Sequence, residues 1–331
     1  MEAVKRIPYG VSDFVAVVEQ NQYYVDKTMY LPLLEQQPSN LFLIRPRRFG
    51  KSIFLNMLRA YYDSSQKAKF EKRFGNLWIG QNPTPLQGRY QVLFLDFSKA
   101  GAGIENLEAN FNLYCCRQLD GFMATYEDAY SERIVENFFA SQSAADKLSM
   151  IEVEATRQGY PLYLIVDEYD NFTNQLLTAY KDPLYENVTT GESFLRTFFK
   201  VIKAGIGEGS IRTCFCTGVL PVTMDDLTSG YNIAEILTLE PTFTEMLGFN
   251  HDEAAEYLRY VIRKYGNDED RFDELWTLIL NNYDGYRFLP NARPLFNSTI
   301  LTYFFKKFAV NNGAIPDEMV DENLRTDVNW I

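Results

Sequence analysis

The chain lacks residues that several common kinds of active site require. Its 331 residues include one histidine, His251, which nearly excludes a Ser/His/Asp triad, a His-rich zinc site and a relay of several histidines. Its cysteines are Cys115, Cys116, Cys214 and Cys216, and no CxxC spacing occurs, so zinc and thioredoxin-type chemistry are not expected. So few cysteines in a long chain are typical of a reducing cytoplasm.

Long apolar runs and an excess of positive charge are also missing. No uninterrupted apolar stretch approaches the ~20 residues that a membrane span needs, and the start of the chain has no apolar signal segment. We therefore predict a cytoplasmic protein with no membrane partner. Lys plus Arg number 32 against 44 Asp plus Glu, a net charge of −12, which argues mildly against a general nucleic-acid binder.

The overall composition is that of an ordinary folded protein. Hydrophobic residues make up 46% and charged residues 23%, which allows a sizeable core, and the length suggests about two domains of roughly 150 residues. The chain ends on the apolar pair Trp330-Ile331, from which we expect it to be a fragment of a longer protein.

Short apolar runs alternate with helical stretches, which predicts an α/β fold with a mainly parallel sheet. The predicted strands are 40–44, 90–97, 162–166, 212–216 and 235–239. We place a domain boundary near Pro241. It separates an α/β core over residues 1–240, with a helical insertion at about 101–160, from a helical C-terminal lid or subdomain over residues 241–331.

The most specific motif is Arg45-Pro46-Arg47-Arg48-Phe49-Gly50-Lys51-Ser52. It follows the first predicted strand and opens a helix predicted over residues 51–62, the context that a phosphate-binding loop requires. Gly50 allows close backbone approach, and successive N–H groups at a helix N-terminus form an anion cradle. Lys51 is expected to reach the β- and γ-phosphates and Ser52 to ligate Mg²⁺. We therefore predict that residues 45–52 bind a nucleotide.

The motif departs from the pattern G-x-x-x-x-G-K-[ST] because Arg45 occupies the place of the first glycine. The alternative interpretation is a basic turn that caps an ordinary helix. The strand before the motif and the helix after it favour the phosphate loop.

Paired carboxylates end the third predicted strand, Leu162-Tyr163-Leu164-Ile165-Val166, as Asp167-Glu168. A strand of this kind beside a phosphate loop predicts that Asp167 holds the Mg²⁺ shell and that Glu168 orients or deprotonates the attacking water. The alternative is an acidic turn at a strand end, which Asp170 also suggests.

Three further positions have alternative interpretations. Thr217, at the end of the fourth strand, suits a sensor of the γ-phosphate that bonds the nucleophilic water, or else it caps the turn before Gly218. Asp96 ends the second strand, where capping of Ser98 is the favoured interpretation. Arg287 is expected either to reach back to the nucleotide or, more commonly for arginine, to be solvated.

The chain resembles a known family, the bacterial AAA-ATPase-like proteins, whose members often carry a C-terminal PD-(D/E)xK nuclease-like domain. The resemblance covers nearly the whole chain. It rests on the 45–52 motif and on Ile7-Pro8-Tyr9-Gly10-Val11-Ser12-Asp13-Phe14, Tyr24-Val25-Asp26-Lys27-Thr28, Asp167-Glu168-Tyr169-Asp170 and Thr217-Gly218-Val219.

The resemblance implies a P-loop NTPase core whose sheet has the order 5-1-4-3-2, followed by a helical region. It makes Arg45 a family trait, and it implies that residues 25–28 pack near the nucleotide. We see no nuclease signature in this chain. Leu295-Phe296-Asn297-Ser298 departs from the relatives, which usually have Tyr-Asn-Pro followed by an aromatic residue, so no role is assigned to Asn297.

The leading functional hypothesis is a Mg²⁺-dependent ATPase that works as a conformational switch, with ATP and Mg²⁺ as cofactors and an unidentified protein partner. A second hypothesis is a module that holds nucleotide without hydrolysing it. A third is the regulatory ATPase half of a nucleic-acid-processing protein, which would contact nucleic acid only indirectly. The oligomeric state and any arginine finger are left open.

Overall fold

The sheet confirms the predicted fold class. The computed structural model describes residues 4–100, 106–171, 194–219, 234–266 and 269–321. Within them, five strands form one sheet in the order β2-β3-β4-β1-β5, with every neighbouring pair parallel. This is the predicted order, read from the opposite edge. The strands are β1 (Asn40–Ile44), β2 (Gln91–Asp96), β3 (Leu162–Asp167), β4 (Ile211–Gly218) and β5 (Glu235–Ile236).

The last strand is shorter than the predicted 235–239. Only Glu235 and Ile236 pair with β1, and Leu237–Leu239 forms a 3₁₀ turn. The Thr238 hydroxyl accepts a hydrogen bond from the Ile44 N–H at 2.7 Å and donates to the Ile44 carbonyl at 3.1 Å. A side chain thus satisfies the end of β1 where a longer edge strand would otherwise pair.

The helices largely follow the predicted segments. Helix α1 begins after Asp13, whose carboxylate accepts from the Val15 N–H at 2.9 Å and caps the helix. The described α-helices are α1 (Phe14–Glu19), α2 (Leu31–Leu34), α3 (Lys51–Tyr62), α4 (Phe70–Phe74), α5 (Trp78–Gln81), α6 (Leu107–Tyr126), α7 (Glu132–Ala140), α8 (Ala144–Gln158), α9 (Phe194–Glu208), α10 (His251–Tyr265), α11 (Phe272–Tyr283) and α12 (Ser298–Val310). Short 3₁₀ helices occupy Thr28–Tyr30, Ser64–Lys69, Phe97–Lys99, Glu127–Ala129, Leu237–Leu239, Pro241–Phe243 and Glu269–Arg271.

Both faces of the sheet are covered, which explains why its strands are apolar throughout. Alternate residues such as Phe42 and Val166 pack with α6, α8 and α9 in one cluster. Their neighbours, such as Leu43 and Ile165, pack with α3 and residues 243–247 on the other face.

A third hydrophobic cluster is built from α10, α11 and α12. The N-terminal residues Ile7, Tyr23 and Val25 pack against this cluster, although we assigned them to the core domain. The division into 1–240 and 241–331 itself stays a prediction. Within the described parts of the chain, no helix combines the length and the apolar character that crossing a membrane would take.

Candidate functional site

The 45–50 loop lies between β1 and α3 and contains two residues in the left-handed region. Gly50, the residue before α3, has φ +91°, and Arg48 has φ +65°. The first N–H groups of a helix have no partner within the helix. At α3 no side chain caps the Gly50 end, so these donors face the loop as an anion site would require.

Lys51 is the first residue of α3 and is buried. Its Nζ donates to the carbonyl oxygens of Arg45 and Pro46, each at 2.9 Å. Burial lowers the pKa of the Lys51 ammonium, and the carboxylates of Asp167 and Glu168 oppose that shift. The cation is therefore held inside the loop by backbone oxygens, which a bound anion could replace.

Asp167 joins three elements at the carboxyl edge of the sheet. Its Oδ2 accepts from the Ser52 hydroxyl at 2.8 Å, and its Oδ1 accepts from the Thr217 hydroxyl at 2.6 Å and from the Glu168 N–H at 3.0 Å. These contacts follow from the strand order, because β3 pairs with β4 and β4 pairs with β1. The sequence-predicted residues Ser52, Asp167 and Thr217 therefore lie together.

The donor set suits Mg²⁺ better than a metal bound by protein groups alone. No cluster of three or more His, Cys, Asp or Glu side chains arranged for a metal occurs in the described ranges. Ser52 and Asp167 offer one hydroxyl and one carboxylate. Mg²⁺ in nucleotide sites typically uses one or two protein oxygens and completes its shell with phosphates and waters.

Glu168 is half-buried and has φ +51°, a conformation that a non-glycine residue rarely adopts. Burial raises the pKa of its carboxyl, and the neighbouring Asp167 adds to the rise. Glu168 also lines the cavity at the loop. A carboxylate with a raised pKa beside a water-accessible space has the properties of a general base.

A cavity of about 610 Å³ lies against the loop and reaches the N-terminal segment. Its lining includes Arg47, Arg48, Gly50, Lys51 and Ser52 from the loop and α3, residues 8–12 and 23–25 with Lys27 from the N-terminal segment, and Ser298, Thr299 and Thr302 from α12.

The N-terminal segment that the resemblance implied near the nucleotide does border this cavity. The Lys27 Nζ donates to both carboxylate oxygens of Glu253 at 2.6 and 2.7 Å and to the Glu245 carbonyl at 2.8 Å. Burial lowers the pKa of Lys27, and Glu253 opposes the shift. Lys27 therefore ties the cavity wall to α10.

Two residues of the predicted loop have side chains that contact the C-terminal region. Arg45 is buried, and its guanidinium donates to the carbonyls of Phe243 and Thr244 at 3.2 and 3.3 Å and lies 3.9 Å from the centre of the Phe288 ring. Burial lowers the pKa of Arg45 to about 10. The backbone carbonyl of Arg45, in contrast, accepts from Lys51 within the loop.

Phe49 is the second of these residues. Its ring packs edge-on against Tyr286 and Phe288, with centroids 5.1 and 5.4 Å apart. A Cβ on Gly248 would come within 2.4 Å of the Phe49 ring, so the tight turn at Gly248 is part of this contact. Phe49 therefore anchors the loop to the C-terminal region.

Sequence reasoning missed the contribution of α12. Asn297 caps this helix by accepting from the N–H groups of Thr299 and Ile300, and its Nδ2 donates to the Arg47 carbonyl at 3.3 Å. The Thr299 hydroxyl donates to the Arg48 carbonyl at 2.7 Å. The local sequence signal was an Asn-Ser-Thr helix start, which predicts a helix but does not indicate which segment the helix contacts.

At Asp96 and Arg287, the structure favours the interpretation that gives the residue no part in the site. Asp96 accepts from both the N–H and the hydroxyl of Ser98, at 3.1 and 2.6 Å, as the capping interpretation expected. Arg287 is exposed and is not among the described residues that line the cavity.

The comparison with protein families identifies the class. A family model described as "Predicted AAA-ATPase" matches residues 8–228, and the chain belongs to this AAA-ATPase-like family. It is 24% identical over 310 residues to "Uncharacterized protein in vnfD 5'region" of Azotobacter chroococcum mcd 1, covering 92% of this chain and 52% of that protein. The chain thus spans about half the length of this curated relative. No solved structure matches it.

Proposed function

We propose that the chain binds ATP with Mg²⁺ at the 45–52 loop and hydrolyses it. One observation carries the proposal: the Ser52 hydroxyl lies 2.8 Å from Asp167 Oδ2, directly behind the uncapped N-terminus of α3. A metal-binding hydroxyl, a carboxylate and helix N–H groups converging on one point are the parts that phosphoryl transfer requires.

Each residue then has a distinct task. Lys51 exchanges the carbonyls of Arg45 and Pro46 for phosphate oxygens. Ser52 and Asp167 would hold Mg²⁺, which when bound would neutralise charge on the transferred phosphoryl group. Glu168 accepts a proton from the attacking water, whose oxygen bonds to the γ-phosphorus as the bond to the bridging oxygen breaks and ADP leaves.

The cavity offers space for the rest of the nucleotide. It continues from the loop to residues 8–12 and 23–25, whereas Asp167 and Thr217 are buried behind α3. The nucleoside is therefore proposed to lie against the N-terminal segment, with the terminal phosphate toward Glu168.

The proposed sensor role of Thr217 carries a structural requirement. Its hydroxyl is fully buried and donates to Asp167. To sense the γ-phosphate, the Thr217 hydroxyl would have to break this hydrogen bond. In its present position the hydroxyl orients the Asp167 carboxylate. Arg47 and Arg48 are exposed residues of the cavity lining and are proposed to contact phosphate or ribose oxygens.

Contacts between the loop and the C-terminal region support a conformational switch. Arg45, Phe49 and the start of α12 connect the loop to residues 243–299. Phosphate binding that moves Lys51 off its carbonyls would alter these contacts. The partner that receives the change, and a nuclease fusion, stay predictions.

Titration with ATP, ADP and GTP, each with and without Mg²⁺, tests the proposal. Lys51→Ala is expected to abolish nucleotide binding because it removes the loop's buried cation, whereas Lys69→Ala, which changes an exposed lysine, should bind like the wild type. If Lys51→Ala binds ATP as tightly as the wild type, the assignment is wrong.

Glu168→Gln separates binding from hydrolysis. It should keep ATP affinity and lower phosphate release by roughly 10²–10⁴-fold, because the amide cannot accept the water proton. Wild-type protein that binds ATP but releases phosphate only at the Glu168→Gln background level would instead be a nucleotide-binding module without turnover.

A further inference from the structure

The loop contains a backbone conformation that its own residues do not favour. Arg48 has φ +65°, where a side chain with a Cβ crowds the backbone. Such residues persist only where the surroundings hold them in place. Hydrogen bonds to this part of the loop come from the start of α12.

We propose that Thr299 and Asn297 are positioning residues that hold the Arg47-Arg48 backbone in this conformation and so aim the N–H groups of residues 49–51 into the cavity. The Thr299 hydroxyl and N–H donate to the Arg48 carbonyl at 2.7 and 3.4 Å. Asn297 Nδ2 donates to the neighbouring Arg47 carbonyl at 3.3 Å.

The residues that contact the Arg47 and Arg48 carbonyls are themselves held in place. Asn297 is buried, and its Oδ1 is fixed by the N–H groups of Thr299 and Ile300 at 3.1 and 3.3 Å. Its amide therefore points in one direction. Helix α12 is in turn anchored in the third cluster by Leu301, Phe304, Phe305 and Phe308. The same side chain that starts the helix thus fixes the loop.

The direction of the peptide at Arg48 matters because it precedes the turn at Gly50. A left-handed residue followed by a helix start turns successive N–H groups toward one concave point. If Arg48 relaxed to negative φ, these groups would diverge. The part of the inference that concerns nucleotide rests on the proposed function, whereas the part that concerns loop conformation does not.

Hydrogen exchange without nucleotide tests the loop conformation directly. Thr299→Val removes the hydroxyl at a partly exposed position and spares the core. We expect the amides of residues 47–52 to exchange at least ~3-fold faster than in the wild type, and Thr299→Ser to restore the wild-type rate. Unchanged exchange in Thr299→Val would overturn the inference.

Thr302→Val is the matched control. Thr302 lines the same cavity one turn along α12, but its hydroxyl donates within the helix to the Ser298 carbonyl at 2.6 Å. In Thr302→Val, the amides of residues 47–52 should therefore exchange as in the wild type. If Thr302→Val accelerated exchange as much as Thr299→Val does, a general effect of altering α12 would explain both and the inference would fail.

A double-mutant cycle with Arg48→Gly separates positioning from direct ligand contact, because glycine adopts positive φ without help. Thr299→Val should weaken ATP binding about tenfold in the Arg48 background and less than about twofold in the Arg48→Gly background. An equal loss in both backgrounds would mean that Thr299 touches the ligand and would overturn the positioning role. Absence of ATP binding by the wild type would sink the proposed function, while the exchange result would still decide the loop inference.

Discussion

The two halves of the 45–52 loop are held by different parts of the molecule. Lys51 and Ser52 begin α3, and Ser52 meets Asp167 at the edge of the sheet. Arg45, Phe49 and the carbonyls of Arg47 and Arg48 are held instead by residues 243–299.

The difference shows which constraints are local and which are tertiary. The second half depends on a strand-to-helix turn and on strand order, which recur wherever a parallel sheet meets such a loop. The first half has Arg45 in place of the consensus glycine and depends on residues roughly 200–250 positions away in the chain. Changes to Arg45 or Phe49 in the first half should therefore weaken the attachment of the C-terminal region.

The largest expected effect on stability is at Phe49. Phe49→Ala empties a buried site between Tyr286, Phe288 and Gly248, and it should lower the free energy of unfolding by about 3–5 kcal/mol. Urea unfolding measures the loss. Phe139→Ala, at a side chain 44% exposed, should cost less than about 0.5 kcal/mol, and equal losses in the two variants would contradict the anchoring role.

Arg45 offers a sharper comparison with an intermediate effect. Arg45→Gly restores the consensus residue, yet it should destabilise the protein by about 2–3 kcal/mol, since it leaves a void and removes the guanidinium hydrogen bonds to the carbonyls of Phe243 and Thr244. Arg45→Met keeps the packing on Phe288 and removes a buried charge, so a change within about 1 kcal/mol is expected. Thermal or urea unfolding of both variants checks this, and a stabilising Arg45→Gly would refute it.

The smallest effect is expected far from the loop, at Glu152 on α8. Its Oε1 has no hydrogen-bond partner among the described residues, and a Cβ on Gly205 of α9 would lie 2.6 Å from it. Burial raises the pKa of Glu152 to about 8 from 4.5, and Glu208 adds to the rise. The folded state therefore retains a proton that the unfolded chain releases, so stability falls as pH rises between these two values.

Glu152→Gln should remove that dependence. Between about pH 7 and pH 8 the wild type should lose roughly 1 kcal/mol more stability than the variant, as urea unfolding at both pH values would measure. ATP affinity should not change, because α8, which carries Glu152, packs on the face of the sheet opposite to α3. Parallel pH curves for the two proteins would show that Glu152 is not the titrating group.

Much of the fold was accessible from the sequence because its signals are local or repetitive. Apolar runs of strand length predicted β1 at its observed bounds, Asn40–Ile44, and the sequence predicted the helix over residues 51–62 that the structure shows as α3. The fifth strand was predicted, but its early end after Ile236 was not, because the Thr238 hydroxyl that bonds Ile44 in place of further strand pairing is positioned only by the tertiary structure.

The candidate site divides in the same way. The proximity of Ser52 to Asp167 could be expected, because parallel strands bring their carboxyl ends to one edge. The sequence could not predict that Arg45 turns inward or that Thr299 contacts Arg48. Each contact depends on where a distant segment of the chain packs. The functional assignments of these residues stay predictions.

The amino-acid sequence by itself determined the parallel α/β core, the glycine and lysine at the helix start, and the acidic strand end, because backbone periodicity and residue chemistry act over a few positions. Only the tertiary structure decided how that loop is supported. Its left-handed Arg48 and buried Arg45 are held by hydrogen bonds and ring contacts from the C-terminal region, and such contacts exist only once the chain has folded back on itself.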